Sequence, residues 1–121
     1  MYSQKSLDRI SVIEKKIEFI NNITAEYGSI QIALEDEQNG RAAILMHLTS
    51  ISEQFDKLLH GGELEILANF EKEDIKGSYD LRNFIAHHYE GVDLYVVEDV
   101  IKERLPIIKS AVTKILQEGK I

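Results

Sequence analysis

Five side chains able to bind phosphate or move protons stand in the eight-residue stretch RNFIAHHY, residues 82–89: Arg82, Asn83, His87, His88 and Tyr89. A guanidinium offers directed N–H donors to a phosphate that gathers negative charge. An imidazole changes protonation near neutrality and so suits general acid–base work. Placed on a helix at about 100° per residue, Leu81, Phe84, Ile85 and His88 share one face, the predicted core face, which makes His88 a packing histidine. Asp80, Asn83 and His87 follow one polar edge. Arg82 and Tyr89, seven apart, align on the opposite edge. Arg82 and His87 are then about 140° apart, so one regular helix does not bring them together. Either the helix loosens before Gly91, or a second copy of the chain completes the cleft across a two-fold axis, the arrangement preferred here. Spacing alone also allows His87 a plainer role, a cation at a helix C-terminus favoured by the dipole.

Other chemistries find little support. Adjacent histidines point in different directions, and no HxxxH or HExxH spacing occurs. The chain has no cysteine, which excludes disulfides, thiolate zinc sites and cysteine nucleophiles. There is no phosphate-binding glycine loop and no GxSxG. His47 and His60 are isolated. The runs Glu35-Asp36-Glu37 and Glu71-Lys72-Glu73-Asp74 read as solvated helix starts. No metal site and no cofactor are expected.

The elements that must hold the motif are helical throughout. Ile10, Ile13, Ile17, Ile20, Ile23 and Tyr27 form one stripe, with Ser3 or Ser6 to cap its start and Gly28-Ser29 to stop it. Ile30 to Leu34 reads as a short apolar connection. Ala42, Leu45, Met46, Leu48, Ile51, Phe55, Leu58 and Leu59 mark a second long helix ending at Gly61-Gly62, and residues 63–70 a short segment of one or two turns. Asp74 is the predicted N-cap of the motif helix, which is expected to run to about Tyr89. Asp93 caps the last helical region, where Pro106 predicts a kink or break near Arg104. The expected architecture is an all-α antiparallel bundle of four main helices plus a short helix, in a single domain over residues 1–121.

Composition sets the frame. A chain of 121 residues, 44% hydrophobic with one proline, suffices for one core. No apolar run approaches the roughly 18 residues of a membrane span, and the N-terminus lacks a secretory segment, so a cytoplasmic location is expected. The formal charge of −7, with 14 basic residues scattered along the chain, argues against holding long nucleic acid over the whole surface. Any contact with RNA must be local, in a cleft whose potential opposes that of the body.

Three segments carry a resemblance: RAAILMHLTSISEQFDKL, IKGSYDLRNFIAHHYEGVD and YVVEDVIKERLPIIKSAVTKIL. Together they resemble the HepT-like branch of the HEPN superfamily, with its Arg-x4-His-x-Tyr signature at Arg82, His87 and Tyr89 and the usual Asn83 behind the arginine. The leucine-proline near the final helix and the aspartate after the motif also fit, and the likeness covers nearly the whole chain. Two departures stand out. The chain has no tryptophan, where the family commonly has one upstream of the arginine, and Ile75 or Tyr79 occupies that neighbourhood. Ser52-Glu53 stands where the family often has Gly-Glu. Both are read as variations in packing.

The resemblance implies a HEPN-like fold and a homodimeric, metal-independent endoribonuclease, the toxin of a toxin–antitoxin pair. Its partner would be a minimal nucleotidyltransferase antitoxin able to silence it by transferring AMP to Tyr89. The 2′-OH of RNA is an internal nucleophile, so His87 would take its proton while Arg82 neutralises the phosphate. Asn83 would orient His87 or bind a phosphate oxygen, and Tyr89 would contact substrate. Two other readings are kept: a non-catalytic binding subunit of a nucleotidyltransferase complex, and a purely structural bundle in which the motif is a cap.

Overall fold

The computed structural model describes residues 2–119. Helix α1, Gln4–Tyr27, starts where the Ser3 hydroxyl accepts the N–H of Ser6, and stops at Gly28, whose φ of 90° lies in the left-handed region that favours glycine. Its isoleucine stripe is the centre of the molecule: Ile10, Ile13, Ile17 and Ile20 are buried. The expected connection at Ile30 to Leu34 is instead a helix, α2 (Ile30–Glu35), because Ser29 caps it by accepting the N–H of Ile32.

A widened π turn, Glu37–Arg41, then leads without a gap into α3, Ala42–His60. Its start is held by Asp36, which accepts from the N–H of Asn39 and from the Tyr27 hydroxyl. Only glycine fits at position 40, since a Cβ there would sit 2.3 Å from the Ala33 carbonyl oxygen. Ile44, Leu45, Leu48, Ile51, Phe55 and Leu58 form the buried face of α3. Phe55 meets Phe70 edge-on, with centroids 4.9 Å apart, beyond the short helix α4 (Leu64–Leu67).

The motif helix, α5, is Lys72–His87. It begins before Asp74, with Glu71 at the cap position, and it ends two residues before Tyr89, which opens a separate 3-10 turn, Tyr89–Gly91. The expected N-cap Asp74 has another task. It is buried, at 7% exposure, and takes Nε and Nη2 of Arg104 on its two carboxylate oxygens at 2.6 and 2.9 Å. Arg104 Nη2 also donates to Glu71, so this acidic run is not simply solvated.

Helix α6 (Leu94–Asp99) is capped by Asp93, which accepts the N–H of Tyr95. The break or kink expected near Arg104 is a second π turn, Val100–Arg104, running on into α7, Leu105–Gly119. Leu105 donates to the carbonyl of Val100, five residues back, and this wider turn accommodates the ring and missing N–H of Pro106. Helix α1 packs on α3 and α7, and α3 packs on α5. Short connections turn the chain back on itself, giving an all-α bundle of four long helical stretches with no strand among the described residues. No helix is long and apolar enough to cross a membrane among those residues.

Candidate functional site

Helix α5 lies against α3 through one narrow strip, and that strip decides where every motif residue points. Its buried residues are Asp74 and Ile85, with Ser78 and Leu81 half-buried between them. The core direction is therefore rotated from the predicted one. Phe84 and His88, expected to pack inward, are exposed and lie against each other with ring centroids 5.1 Å apart. Asp74, held by Arg104, lies on this strip with Ser78, Leu81 and Ile85, and the aromatic side of α5 is left uncovered.

The two flanks of α5 border different grooves. On one side Leu81 and Phe84 face Val92, Val96 and Val100 across an apolar groove of about 710 Å³. Phe84 and Val96 are 46% and 49% exposed there. On the other side Ile75, Lys76 and Tyr79 face Ser52, Leu59 and Leu64 across a groove of about 810 Å³.

Arg82 continues the second flank. Its guanidinium lies over the Tyr79 ring, 5.1 Å from the centroid, and Nη1 is 3.8 Å from the Asp56 carboxylate. The pairing is partly exposed and long, so it orients the arginine more than it binds it. Asn83 is half-buried one position on. His87 is the last residue of α5 and is exposed, as is Tyr89 at 39% in the turn beyond. Among the described residues no side chain hydrogen-bonds to Asn83, His87 or Tyr89.

The structure thus keeps Arg82 and His87 on different bearings of one helix, as the helical wheel predicted. Tyr89 lies outside the helix, so its expected seven-residue alignment with Arg82 does not apply. Two neighbours of Arg82 were not foreseen. Asp56 lies 26 positions upstream and has no local signal, whereas Tyr79, three residues before Arg82, could have been found from helical spacing.

Elsewhere, Glu71 is held below the usual carboxylate range, chiefly by its hydrogen bond from Arg104, and Arg104 is raised further by Asp74 and Glu71. His47, isolated in sequence, stacks at 5.3 Å on Phe19, and its Nδ1 is buried without a partner. Burial, with Lys16 nearby, pushes that imidazole below its ordinary value. His60 is exposed and takes part in a hydrogen bond with the Asp56 carbonyl. Ser52, read as a variation in packing, is 2% exposed and its hydroxyl has no partner among the described residues. No cluster of three or more His, Asp or Glu able to hold a metal occurs among those residues.

Residues 13–115, which include the whole of α3, α5 and the motif, match the ribonuclease HepT-like family. The chain belongs to that family. No curated protein and no solved structure matches it. Membership in the ribonuclease HepT-like family brings RNA as the implied substrate class, and it covers the bundle as well as the signature, since the matched span begins in α1 and ends in α7.

Proposed function

We propose that the chain is a metal-independent endoribonuclease, the toxin of a toxin–antitoxin pair, cutting RNA at a site shared between two copies of the chain. The observation that carries this reading is the placement of the signature on α5. Arg82 and His87 diverge on one helix, His87 and Tyr89 stand exposed, and the apolar flank of Leu81, Phe84, Val92 and Val96 lies uncovered on the side of α5 away from Arg82. A second copy on that flank covers its aromatic and valine side chains and sets two copies of α5 and their signatures close together, and the shared site requires that Arg82 of one copy reach His87 of the other around the helix.

The reaction follows from the side chains. His87 removes the 2′-OH proton, and O2′ attacks the adjacent phosphorus. The bond to O5′ breaks, leaving a 2′,3′-cyclic phosphate on one product, and the departing O5′ takes a proton from solvent. Negative charge gathers on the phosphoryl oxygens as O2′ approaches, and Arg82 meets it with directed N–H donors. A phosphate there competes with Asp56 for the guanidinium, and their long, partly exposed contact is weak enough to be displaced. Asn83 orients His87 or binds a phosphate oxygen. The nucleophile is part of the substrate, so the reaction balances without a metal.

Tyr89 stands exposed in the turn beyond α5 and is the residue proposed to be open to the partner, a minimal nucleotidyltransferase antitoxin. AMP joined to it through a phosphodiester would place a bulky anion beside the cations of the site and close it. The divergence of Arg82 and His87 within one copy also favours a second reading, a non-catalytic binding subunit of a nucleotidyltransferase complex.

The test is incubation of end-labelled RNA with the purified chain in EDTA, with His87→Ala in parallel and the product ends identified. Cutting that leaves 2′,3′-cyclic phosphate and disappears in the variant is the expected result. A folded, dimeric chain unmodified at Tyr89 that leaves varied RNAs intact would overturn the nuclease reading in favour of the binding subunit.

A further inference from the structure

Arg82 differs from the arginines that hold the bundle together. Arg104 donates Nε and Nη2 to Asp74 and Glu71, and Arg41 donates Nε to the Leu34 carbonyl. The Arg82 side chain is just as covered, at 24% exposure, yet among the described residues its guanidinium makes no hydrogen bond. The Asp56 carboxylate, 3.8 Å from Nη1, is a charged neighbour beyond hydrogen-bond reach. A guanidinium carries five N–H donors, and none of the Arg82 nitrogens is sealed from solvent. Its donors are therefore left for an acceptor from outside the chain, and they can be reached.

Two side chains hold the guanidinium without using those donors. The Tyr79 ring, one turn earlier on α5, lies under it at 5.1 Å and attracts the cation through its face. Asp56 comes from the last turns of α3 and offers one carboxylate oxygen to Arg82. Its other oxygen lies 3.3 Å from Nδ1 of His60, one turn on, and that nitrogen also bonds to the Asp56 carbonyl at 2.8 Å. The carboxylate thus keeps a second neighbour and can release Arg82 without being stranded.

We propose that Tyr79 and Asp56 are the positioning residues of Arg82, the ring a platform that stays and the carboxylate a placeholder that a substrate phosphate displaces. The assignment rests on the ribonuclease reading, in which Arg82 meets the phosphate, and adds to it the two side chains that set the arginine beforehand. The ring steadies the cation and leaves its N–H donors to the phosphate. Asp56 steadies it in the empty site and then has to give way, so its charge opposes binding. The two residues therefore act with opposite signs, and both act through Arg82.

Binding is read separately from cleavage with a single-stranded 2′-O-methyl oligoribonucleotide, which keeps the phosphates and lacks the nucleophile. Its Kd is measured for wild type, Asp56→Asn, Tyr79→Leu, Tyr79→Phe and Arg82→Ala, and for Asp56→Asn and Tyr79→Leu each combined with Arg82→Ala. Asp56→Asn is expected to tighten binding about threefold and Tyr79→Leu to weaken it about threefold, the size of one partly exposed charge pair or cation–π contact. Tyr79→Phe, which restores the ring, is expected to restore the affinity lost in Tyr79→Leu. Both effects are expected to vanish in the Arg82→Ala background. An Asp56→Asn gain that persists there is general relief of charge, and a Tyr79→Leu loss that persists is direct contact of the ring with RNA. Either overturns the proposal, as does an unchanged Kd in Asp56→Asn or a wild-type chain that does not bind the probe. Asp56→Asn keeps the side-chain shape at a partly exposed position, so that arm is readable even where Tyr79→Leu misfolds. Unmodified RNA is assayed for cleavage in parallel. Cutting by wild type without these couplings removes the positioning residues and leaves the nuclease. The couplings without cutting do the reverse.

Discussion

At the scale of single residues, activity and stability should separate. Arg82 makes a 3.8 Å contact with Asp56 at a partly exposed position, and pairs of that kind contribute about 0–1 kcal/mol. His87 is exposed and bonded to nothing described, so its removal should change stability by less than about 0.5 kcal/mol. Loss of a general base typically costs about 10²–10⁴ in rate. Thermal melts of Arg82→Ala and His87→Ala should therefore lie near wild type while RNA cleavage falls by that factor. Large losses of stability in both variants, with cleavage retained, would support a capping role for the motif. The ion-pair network with a buried member is built on Asp74 and Arg104, which flank the signature in sequence and include none of its residues.

At the scale of elements, two acid-sensitive joints hold the bundle. Glu71 and Asp36 both sit below the usual carboxylate range, Glu71 chiefly through Arg104 and Asp36 chiefly through the Tyr27 hydroxyl. Each binds a proton less readily folded than unfolded. The stability they give is present above the ordinary carboxylate range and is lost as pH falls through the folded value. His47 works in the same direction at higher pH. Its folded imidazole is depressed by burial, so the unfolded chain takes up protons first and stability begins to fall below the ordinary imidazole range. Melting temperatures should thus drop in two stages on acidification from neutrality. His47→Leu is expected to remove the upper stage, and Arg104→Gln to flatten the Glu71 contribution to the lower one. An unchanged upper stage in His47→Leu would contradict this assignment.

The same elements show how much the sequence makes legible. The isoleucine stripe of α1, the caps at Ser3 and Asp93 and the stop at Gly28 follow from local spacing and side-chain chemistry, and the structure has them. Pro106 located the irregularity near Arg104, though the chain absorbs it by widening a turn instead of breaking the helix. The bearing of α5 was not legible. Asp74 on its buried strip meets Arg104 thirty positions away, and a helical wheel assigns apolar Phe84 to the core without knowledge of that contact. The neighbours of Arg82 divide in the same way, with Tyr79 within reach of helical spacing and Asp56 brought in only by the fold.

At the scale of the molecule, a body of charge −7 is expected to meet RNA only locally, since even α5 sets Lys72, Lys76 and Arg82 against Glu73, Asp74 and Asp80. The uncovered flank of Phe84 and Val96 makes the proposed dimer testable by itself. Phe84→Glu places a charge in a face that a second copy is expected to bury, so sedimentation should show a monomer with helical content intact. A Phe84→Glu chain that sediments like wild type would remove this flank as the contact.

The central claim is that Arg82 of one copy works with His87 of the other. Arg82→Ala and His87→Ala chains, each inactive alone, are to be unfolded, mixed in equal amounts, refolded and assayed on RNA. Random pairing makes about half the dimers mixed, each with one intact site of two, so recovery of about a quarter of the wild-type rate is predicted. A mixture in which mixed dimers form but cleavage stays at the level of the single variants would contradict the shared site.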